Sequence, residues 1–151
     1  MKKLFLSVLV SSLLIVGCGS VTSPMSTGSS HLPQASVTIG RLEIQTVING
    51  YQWTKTSTSS VAQGTVADAA SDPAKGLQKY EVSGGEKAKL SFEQKPQTVQ
   101  LIMWENGRQI SKTNLNGDSF ALSHQPGDYT YEVTGDWGSD YVNYDFEVRV
   151  H

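Results

Sequence analysis

The sequence is short of the side chains from which most catalytic and metal sites are built. It holds one cysteine, Cys18, and three histidines in 151 residues. A single cysteine can form neither a disulfide within the chain nor a multi-cysteine metal site. No Gly-x-Ser-x-Gly segment is present, so the serine-hydrolase arrangement of nucleophile, base and acid is not indicated. The sequence therefore predicts no catalytic set, no metal site and no cofactor.

Positive charge is also scarce. Twelve Lys and Arg against fourteen Asp and Glu give a formal net charge of −2. No basic cluster favours binding to nucleic acid, and no polybasic stretch favours anionic lipid. We therefore expect no nucleic-acid partner.

No apolar run is long enough to cross a bilayer as a helix, which takes about 20 residues. The longest run covers residues 4–16, follows Lys2 and Lys3, and contains no charged side chain. A positive start, a short apolar run and a small residue at its end are the parts of a secretory signal peptide. A buried core helix is the alternative, but no polar face interrupts the run.

The apolar run ends in a segment that resembles a bacterial lipobox, Leu14-Ile15-Val16-Gly17-Cys18. Ile15 and Val16 depart mildly from the Leu and the Ala or Ser that are commoner there. The resemblance implies a signal peptide at residues 1–17 that is cut just before Cys18, with diacylglycerol joined to the Cys18 thiol. It places the mature protein on the extracytoplasmic face of the cell membrane, held by acyl chains that contribute about 0.8 kcal/mol per buried CH₂. An ordinary secreted protein with a free cysteine is the alternative.

The composition changes after the lipobox. Residues 18–35 are rich in Ser, Thr, Gly and Pro and lack an apolar period, which predicts a flexible linker. Residues 36–151 remain, and a segment of this size is enough for one domain with a hydrophobic core. The mature chain would be more acidic than the precursor, because residues 1–17 contain two lysines and no acid.

Short runs of alternating apolar and polar residues, separated by turn residues, fill the predicted domain. In the last run one face is apolar and the other polar: Tyr144, Phe146, Val148 and Val150 against Asn143, Asp145, Glu147 and Arg149. Asn106-Gly107 between two such runs indicates a type I′ hairpin turn, since both central residues need a positive φ. About seven short strands of this kind predict an antiparallel, immunoglobulin-like β-sandwich.

Two regions interrupt the alternation. The phase shifts by one residue at Gly40, which predicts a β-bulge. Residues 55–76 are mostly small and polar, which predicts a long loop.

Two resemblances support the fold. The segment PGDYTYEV resembles the penultimate strand of immunoglobulin-like domains, with Tyr129 at the position of the corner tyrosine and Tyr131 where antibody domains have a cysteine. The wider pattern resembles small lipoproteins of Gram-positive bacteria through Tyr51, Trp53, Asp68, Ala69, Ser71, Pro73, Tyr129, Tyr131, Val133, Trp137, Tyr144, Phe146 and Val148. It implies a shared fold and brings no known substrate with it.

Aromatic residues are the best candidates for a binding surface. Trp137 lies in a hairpin loop and Trp53 borders the predicted long loop, where Asp68 also lies. We predict a ligand surface formed by Trp53, Asp68 and Trp137, which could stack against sugar rings or peptide. The alternative is that these residues close the end of the sandwich. Trp104, on a strand with two apolar faces, is more consistent with the core.

The acidic residues suggest other functions less strongly. Asp136 and Asp140 could approach each other in a tight loop and hold calcium, or could serve an enzyme together with Asp145, but acids in such a loop are more often solvated. We therefore expect a membrane-anchored lipoprotein with a non-enzymatic binding or accessory role toward an envelope protein or glycan. A small envelope enzyme that uses acidic residues, or an inhibitor or subunit of an envelope complex, is the alternative.

Overall fold

The computed structural model describes residues 31–55, 63–67 and 76–151. These residues form two β-sheets packed face to face, which confirms the predicted all-β sandwich. The predicted signal peptide, Cys18, most of the predicted linker and Asp68 lie outside the described residues. Within the described ranges no helix is long and apolar enough to span a membrane.

The described residues form eleven strands, more than the sequence predicts. They are β1 (Ala35–Ile39), β2 (Leu42–Gln45), β3 (Val47–Lys55), β4 (Gln63–Ala67), β5 (Lys79–Val82), β6 (Lys87–Phe92), β7 (Thr98–Glu105), β8 (Arg108–Asn114), β9 (Ser119–Ala121), β10 (Gly127–Asp136) and β11 (Tyr141–Val150). The additional strands are β4, which lies in the predicted long loop, β5, whose alternation is too brief to recognise, and β2 and β3, which the predicted bulge at Gly40 joined to β1.

The strands divide into a small and a large sheet. The small sheet has the order β2-β1-β6-β9, and the large sheet has the order β4-β3-β11-β10-β7-β8. Neighbouring strands are antiparallel except for β5, which pairs in parallel with the last residues of β11, beyond the segment that pairs with β3. The β10–β11 hairpin therefore lies in the middle of the large sheet.

The core lies between the sheets and is rich in aromatic rings. Tyr131, Tyr144 and Phe146 are among the largest fully buried side chains, and the rings of Tyr131 and Phe146 stack with centroids 5.3 Å apart. Burial of each such side chain contributes about 1.5–3 kcal/mol. The hydroxyl of Tyr144 donates to the carbonyl of Pro33 at 2.6 Å, so this buried polar atom is satisfied.

The Asn106-Gly107 turn is found as predicted. Asn106 has φ 50° and Gly107 has φ 71°, and these two residues alone separate β7 from β8. The pair Glu105 and Arg108 closes the hairpin. Asn and Gly are the residues that adopt positive φ at least cost, so the local sequence is sufficient to place this turn.

The predicted bulge at Gly40 is wrong. Gly40, with φ 58°, and Arg41 form a two-residue hairpin turn, because Ile39 pairs with Leu42. A bulge is present instead on β3, where Asn49 is the extra residue opposite β11. A phase shift looks the same in the sequence whether a turn or a bulge causes it, and only the pairing distinguishes the two.

The predicted loop at residues 55–76 contains a strand. Residues 63–67 form β4, which pairs with β3 from Tyr51 to Lys55. The sequence did not indicate this pairing, because the residues from 55 onward are small and polar and were predicted to form a loop. Residues 56–62 and 68–75 of the predicted loop lie outside the described residues.

The corner tyrosine is Tyr131 and not Tyr129. The hydroxyl of Tyr131 accepts a hydrogen bond from the backbone N–H of Ser123 at 2.9 Å. Tyr129 is also buried, but none of the described residues bonds to its hydroxyl. The two tyrosines share one face of β10, so the sequence could not show which of them reaches back to the chain.

The chain enters the sandwich at one end, where residues before β1 are already held. The Nε2 atom of His31 lies 2.9 Å from Glu93 Oε2, and the backbone N–H of Gln34 donates to the same oxygen at 3.1 Å. These contacts, the Gln34 N–H first, lower the pKa of Glu93. We call this end of the sandwich the linker end. Residues 93–97 and the loop between β10 and β11 lie at the same end.

Candidate functional site

The structure brings together two of the three predicted ligand residues at the linker end. The rings of Trp53 and Trp137 meet edge to face with centroids 5.3 Å apart and an interplanar angle of 84°. Both side chains are partly buried and pack against the core. The Trp137 ring lies over Gly135, where an added Cβ would be 2.8 Å from the ring. The pair therefore closes one end of the sandwich and also contributes to its surface.

The loop that carries Trp137 is held by its own acidic residues. Asp136 Oδ1 accepts from the backbone N–H of Gly138 at 2.8 Å, and Asp140 Oδ1 accepts from Thr54 Oγ1 at 2.8 Å. The backbone N–H of Trp137 donates to the backbone carbonyl of Asp140 at 2.8 Å. These carboxylates fix the loop geometry, and within the described ranges no three acidic, histidine or cysteine side chains converge as metal ligands would.

A groove lies beside the tryptophan pair. It runs between β6, the start of β7 and the turn between β8 and β9, and has a volume of about 860 Å³. Its lining includes Phe92, Lys95, Gln97, Asn114, Asn116 and Asp118. Two segments that are separated in the sequence, residues 89–99 and 114–118, meet here, so the groove was not predictable from local pattern.

Gln97 joins the groove to the tryptophan loop. Its backbone N–H donates to the carbonyl of Asp136 at 2.7 Å, and its side-chain amide lies against Gly138. Phe92, on the groove wall, lies beside Gly135 and so beside the ring of Trp137. The groove and the tryptophan pair therefore form one continuous surface, which we call the linker-end surface.

The groove offers hydrogen-bonding groups more than acid–base groups. Its polar side chains are mainly amides, hydroxyls and lysines, and Asn114 is oriented by a 3.1 Å bond from Gln100. The carboxylate of Asp118 lies 3.9 Å from the ammonium of Lys89, and both are largely exposed. Such groups suit recognition of a polar ligand over an aromatic wall.

A second unusual feature lies on the outer face of the large sheet. Glu132 and Asp145 are directly opposite each other on β10 and β11, and they are 8% and 1% exposed. Burial, followed by the negative charge of Glu132, raises the pKa of Asp145 to about 8. Asn49 lies against Asp145 and favours its ionised form, but neither carboxyl oxygen of Asp145 completes a hydrogen bond with a described residue. Burial also raises the pKa of Glu132, and Lys112 opposes this.

This burial departs from the sequence prediction that Asp145 lies on the polar, outward face. Asp145 does lie on the outer face of the large sheet, but this face is buried at the Glu132–Asp145 pair. One signal is present in the sequence, which is that Ile102 and Trp104 make one face of β7 apolar. That face is the outer one, so the prediction that Trp104 packs in the core is wrong. Ile102 pairs with Glu132 and is 7% exposed, so the apolar side of β7 marks the buried patch. Glu132 itself alternates like a solvated residue and was missed.

Comparisons with known proteins give a distant structural likeness and no family match. No family model matches it, and no curated protein matches it. Among solved structures it is similar to a Jonesia denitrificans lytic polysaccharide monooxygenase, with a TM-score of 0.38 and 15% identity, over 53% of this chain and 63% of that one. The chain thus spans less than two thirds of the length of that protein.

Proposed function

We propose that the protein is a lipid-anchored, extracytoplasmic lipoprotein whose sandwich binds an envelope glycan at the linker-end surface without catalysing a reaction. The lipobox-like segment ending at Cys18 supports the anchor. The linker-end surface supports the binding role. The surface lies beside the point where the described chain enters the domain, so the proposed ligand site is at the end to which the predicted linker connects.

One observation carries the binding role: an open groove with an aromatic wall and amide-bearing rims, continuous with a tryptophan pair. Sugar rings present apolar faces that pack on aromatic side chains, and their hydroxyls both donate and accept hydrogen bonds. Amide side chains, which also do both, match this pattern. Gln97, Asn114 and Asn116 supply such groups around Phe92.

The alternatives receive less support from the geometry. An enzyme that uses Asp145 would need a substrate to reach a carboxyl that is 1% exposed. An inhibitor or subunit would present a contiguous apolar patch. The two large hydrophobic side chains most exposed among the described residues are Val47 and Ile110, on β3 and β8, with three strands between them.

The anchor is tested by intact mass. The protein is extracted from membranes in detergent and compared with a Cys18→Ser variant. The native form should begin at Cys18 and carry the added mass of diacylglycerol, while the variant should stay unprocessed or be released. A native form without lipid would contradict the anchor and would favour a diffusible binding protein.

The binding role is tested by co-sedimentation of the full chain with purified peptidoglycan. Gln97→Ala and Lys95→Ala remove exposed groove side chains, and Gln125→Ala and Lys87→Ala remove the same residue types at exposed positions outside the groove lining. We expect the groove variants to lose about tenfold in affinity, equivalent to about 1.4 kcal/mol, and the two control variants to bind like the native chain. Equal binding by all four variants would contradict the site. Binding only to envelope protein would replace the glycan by a protein partner.

A further inference from the structure

We propose that Glu132 and Asp145 hold one proton between them, carried by Asp145, and that its loss at alkaline pH loosens the β10–β11 hairpin and weakens ligand binding at the linker-end surface. The coupling to binding rests on the function proposed above, whereas the shared proton does not. Neither Glu132 nor Asp145 lines the groove, so the pair is a proton-binding site separate from the proposed ligand site.

The pairing geometry is the first support. Glu132 and Asp145 are register partners on adjacent antiparallel strands, so their Cβ atoms lie about 4.5–5.5 Å apart on the same face. Both are buried. Two like charges directly opposite each other destabilise a sheet, and burial increases the cost because little water screens them. A single negative charge on the pair avoids most of that cost.

The side of the pair toward β7 and β8 offers one distant cation. Ile102 of β7 is directly opposite Glu132, and Lys112 of β8 lies next in the same row. Lys112 is exposed and attracts the Glu132 charge, but no ion pair joins them. Trp104, one row away, buries its Nε1 atom without a partner. This side therefore favours ionisation of Glu132 before Asp145.

The side toward β3 and β5 offers Asp145 no cation among the described residues. Val47 of β3 is its direct neighbour, and Asn49 contributes only an uncharged amide. Lys79 of β5 lies one row further along β11 but is engaged by Glu147 at 3.1 Å and by Asp128 at 2.6 Å. Asp145 is therefore the member that keeps the proton.

The linkage follows from the raised pKa. The carboxyl of Asp145 titrates at about 8 in the folded chain and near 4 when unfolded. Between these values the folded chain binds a proton that the unfolded chain releases, so stability falls as pH rises. The loss is complete once pH exceeds the folded pKa. The two carboxyls interact, so the observed midpoint belongs to the pair.

The pair is connected to the binding surface through its own hairpin. β10 runs from Glu132 to Asp136, whose carbonyl holds Gln97, and the following loop carries Trp137. β11 returns from Tyr141 to Asp145. Loosening the rung at Glu132 and Asp145 therefore affects the strands that hold both the tryptophan loop and the groove wall.

The test compares the native full chain with Asp145→Asn, which keeps the shape and removes the titration. Asp128→Asn, on the same hairpin, serves as the matched control because its carboxyl titrates in acid. Between about pH 6 and pH 9.5 we expect the melting temperature of the native chain and of the control to fall by about 5–10 °C more than that of Asp145→Asn. Equal alkaline losses in the native chain and in Asp145→Asn would overturn the proposal.

Carbon-13 NMR of labelled aspartate carboxyls gives the direct reading. The Asp145 signal, assigned by its loss in Asp145→Asn, should titrate with a midpoint near 8. A midpoint below about 5, close to that of a free carboxyl, would overturn the shared proton. Millimolar calcium is added at high pH as a second arm. Stabilisation of the native chain but not of Asp145→Asn would mean that the pair holds a cation and not a proton.

Peptidoglycan co-sedimentation at neutral and alkaline pH tests the coupling. The native chain should lose several-fold in affinity at alkaline pH, and Asp145→Asn should keep it. A pH-independent affinity of the native chain, alongside the expected NMR midpoint, would overturn the coupling. An absence of glycan binding at every pH would contradict the proposed function, and the melting and NMR results would still decide the shared proton.

Discussion

Asp128 and Asp145 lie on neighbouring strands and on the same face of the large sheet, yet their carboxyls shift in opposite directions. Asp128 accepts from Arg149 Nε at 2.7 Å and from Lys79 Nζ at 2.6 Å, and these partners hold its pKa well below the usual range. Asp145 has no such partner among the described residues, and burial raises its pKa to about 8. An aspartate therefore stabilises the sheet at position 128 and destabilises it at position 145.

The two pKa values shift in opposite directions because the two side chains differ in their distance from the end of the hairpin and in their exposure to water. Asp128 is near the end of the hairpin, where its side chain is 38% exposed and Lys79 and Arg149 can reach it. Asp145 is in the middle of the hairpin, where a carboxylate loses its hydration without gaining a well-aligned hydrogen bond in return. A position on the outer face therefore does not determine whether Asp128 or Asp145 is charged. The residues directly across on the neighbouring strands and the exposure of the side chain determine it.

The largest expected effect comes from placing the same apolar residue at both positions. Asp145→Val should raise the free energy of unfolding at pH 7 by about 2–3 kcal/mol, because it removes a buried polar group without full hydrogen bonds. Asp128→Val should lower it by about 0.5–1 kcal/mol, a value reduced for solvent screening of a partly exposed ion pair. Urea unfolding of the two variants measures both. Changes of the same sign would show that the comparison is wrong.

A cation placed beside Asp145 should make it behave like Asp128. Val47 is the register partner of Asp145 and is 52% exposed, so Val47→Lys can reach the carboxyl from the surface. The pKa of Asp145 should fall by about 1 unit, which corresponds to about 1.4 kcal/mol at alkaline pH. Carboxyl NMR and alkaline melting curves measure the change. Val47→Gln, which is polar but uncharged, is the control and should change the pKa little.

Two tyrosines on β10 repeat the contrast between partnered and unpartnered polar atoms. Tyr131→Phe should cost about 1 kcal/mol, because it deprives the N–H of Ser123 of its acceptor. Tyr129→Phe should cost much less, since no described residue bonds to its hydroxyl. Thermal unfolding of the two variants at one pH compares them. An equal cost would place the corner at neither residue alone.

The smallest expected effect is at the exposed ion pair. Arg149→Gln should raise the pKa of Asp128 toward its ordinary value, since Arg149 is the main cause of the depression. A depressed pKa contributes stability above about pH 4, and this is lost as pH falls through the folded value. The variant should therefore be slightly less stable than the native chain near neutral pH and equal to it in strong acid. A difference that persists in strong acid would point to lost packing of the Arg149 side chain.

Local features were the most predictable part of the fold. Asn106-Gly107 demands positive φ at both positions, and the inward face of β11 follows from Tyr144, Phe146, Val148 and Val150 alone. These features depend on a few consecutive residues. The sequence therefore reached the sandwich class and the hairpin turn without knowledge of strand order.

Features that depend on pairing were not predictable. The phase shift at Gly40 could be a turn or a bulge, and the bulge at Asn49 exists only against β11. β5 joins the large sheet by a parallel pairing that no local pattern encodes. The contact of Trp53 with Trp137, and the groove between residues 89–99 and 114–118, likewise arise from how the sheets pack.

The outer strand β8 has a consequence for behaviour at high concentration. It forms an edge of the large sheet as described, with Ile110 at a bulge opposite β7 and with Arg108 and Lys112 on either side. A bulge and nearby positive charges disfavour the addition of a further strand from another molecule. Crowded copies of the domain would repel each other at this edge and resist joining into extended aggregates.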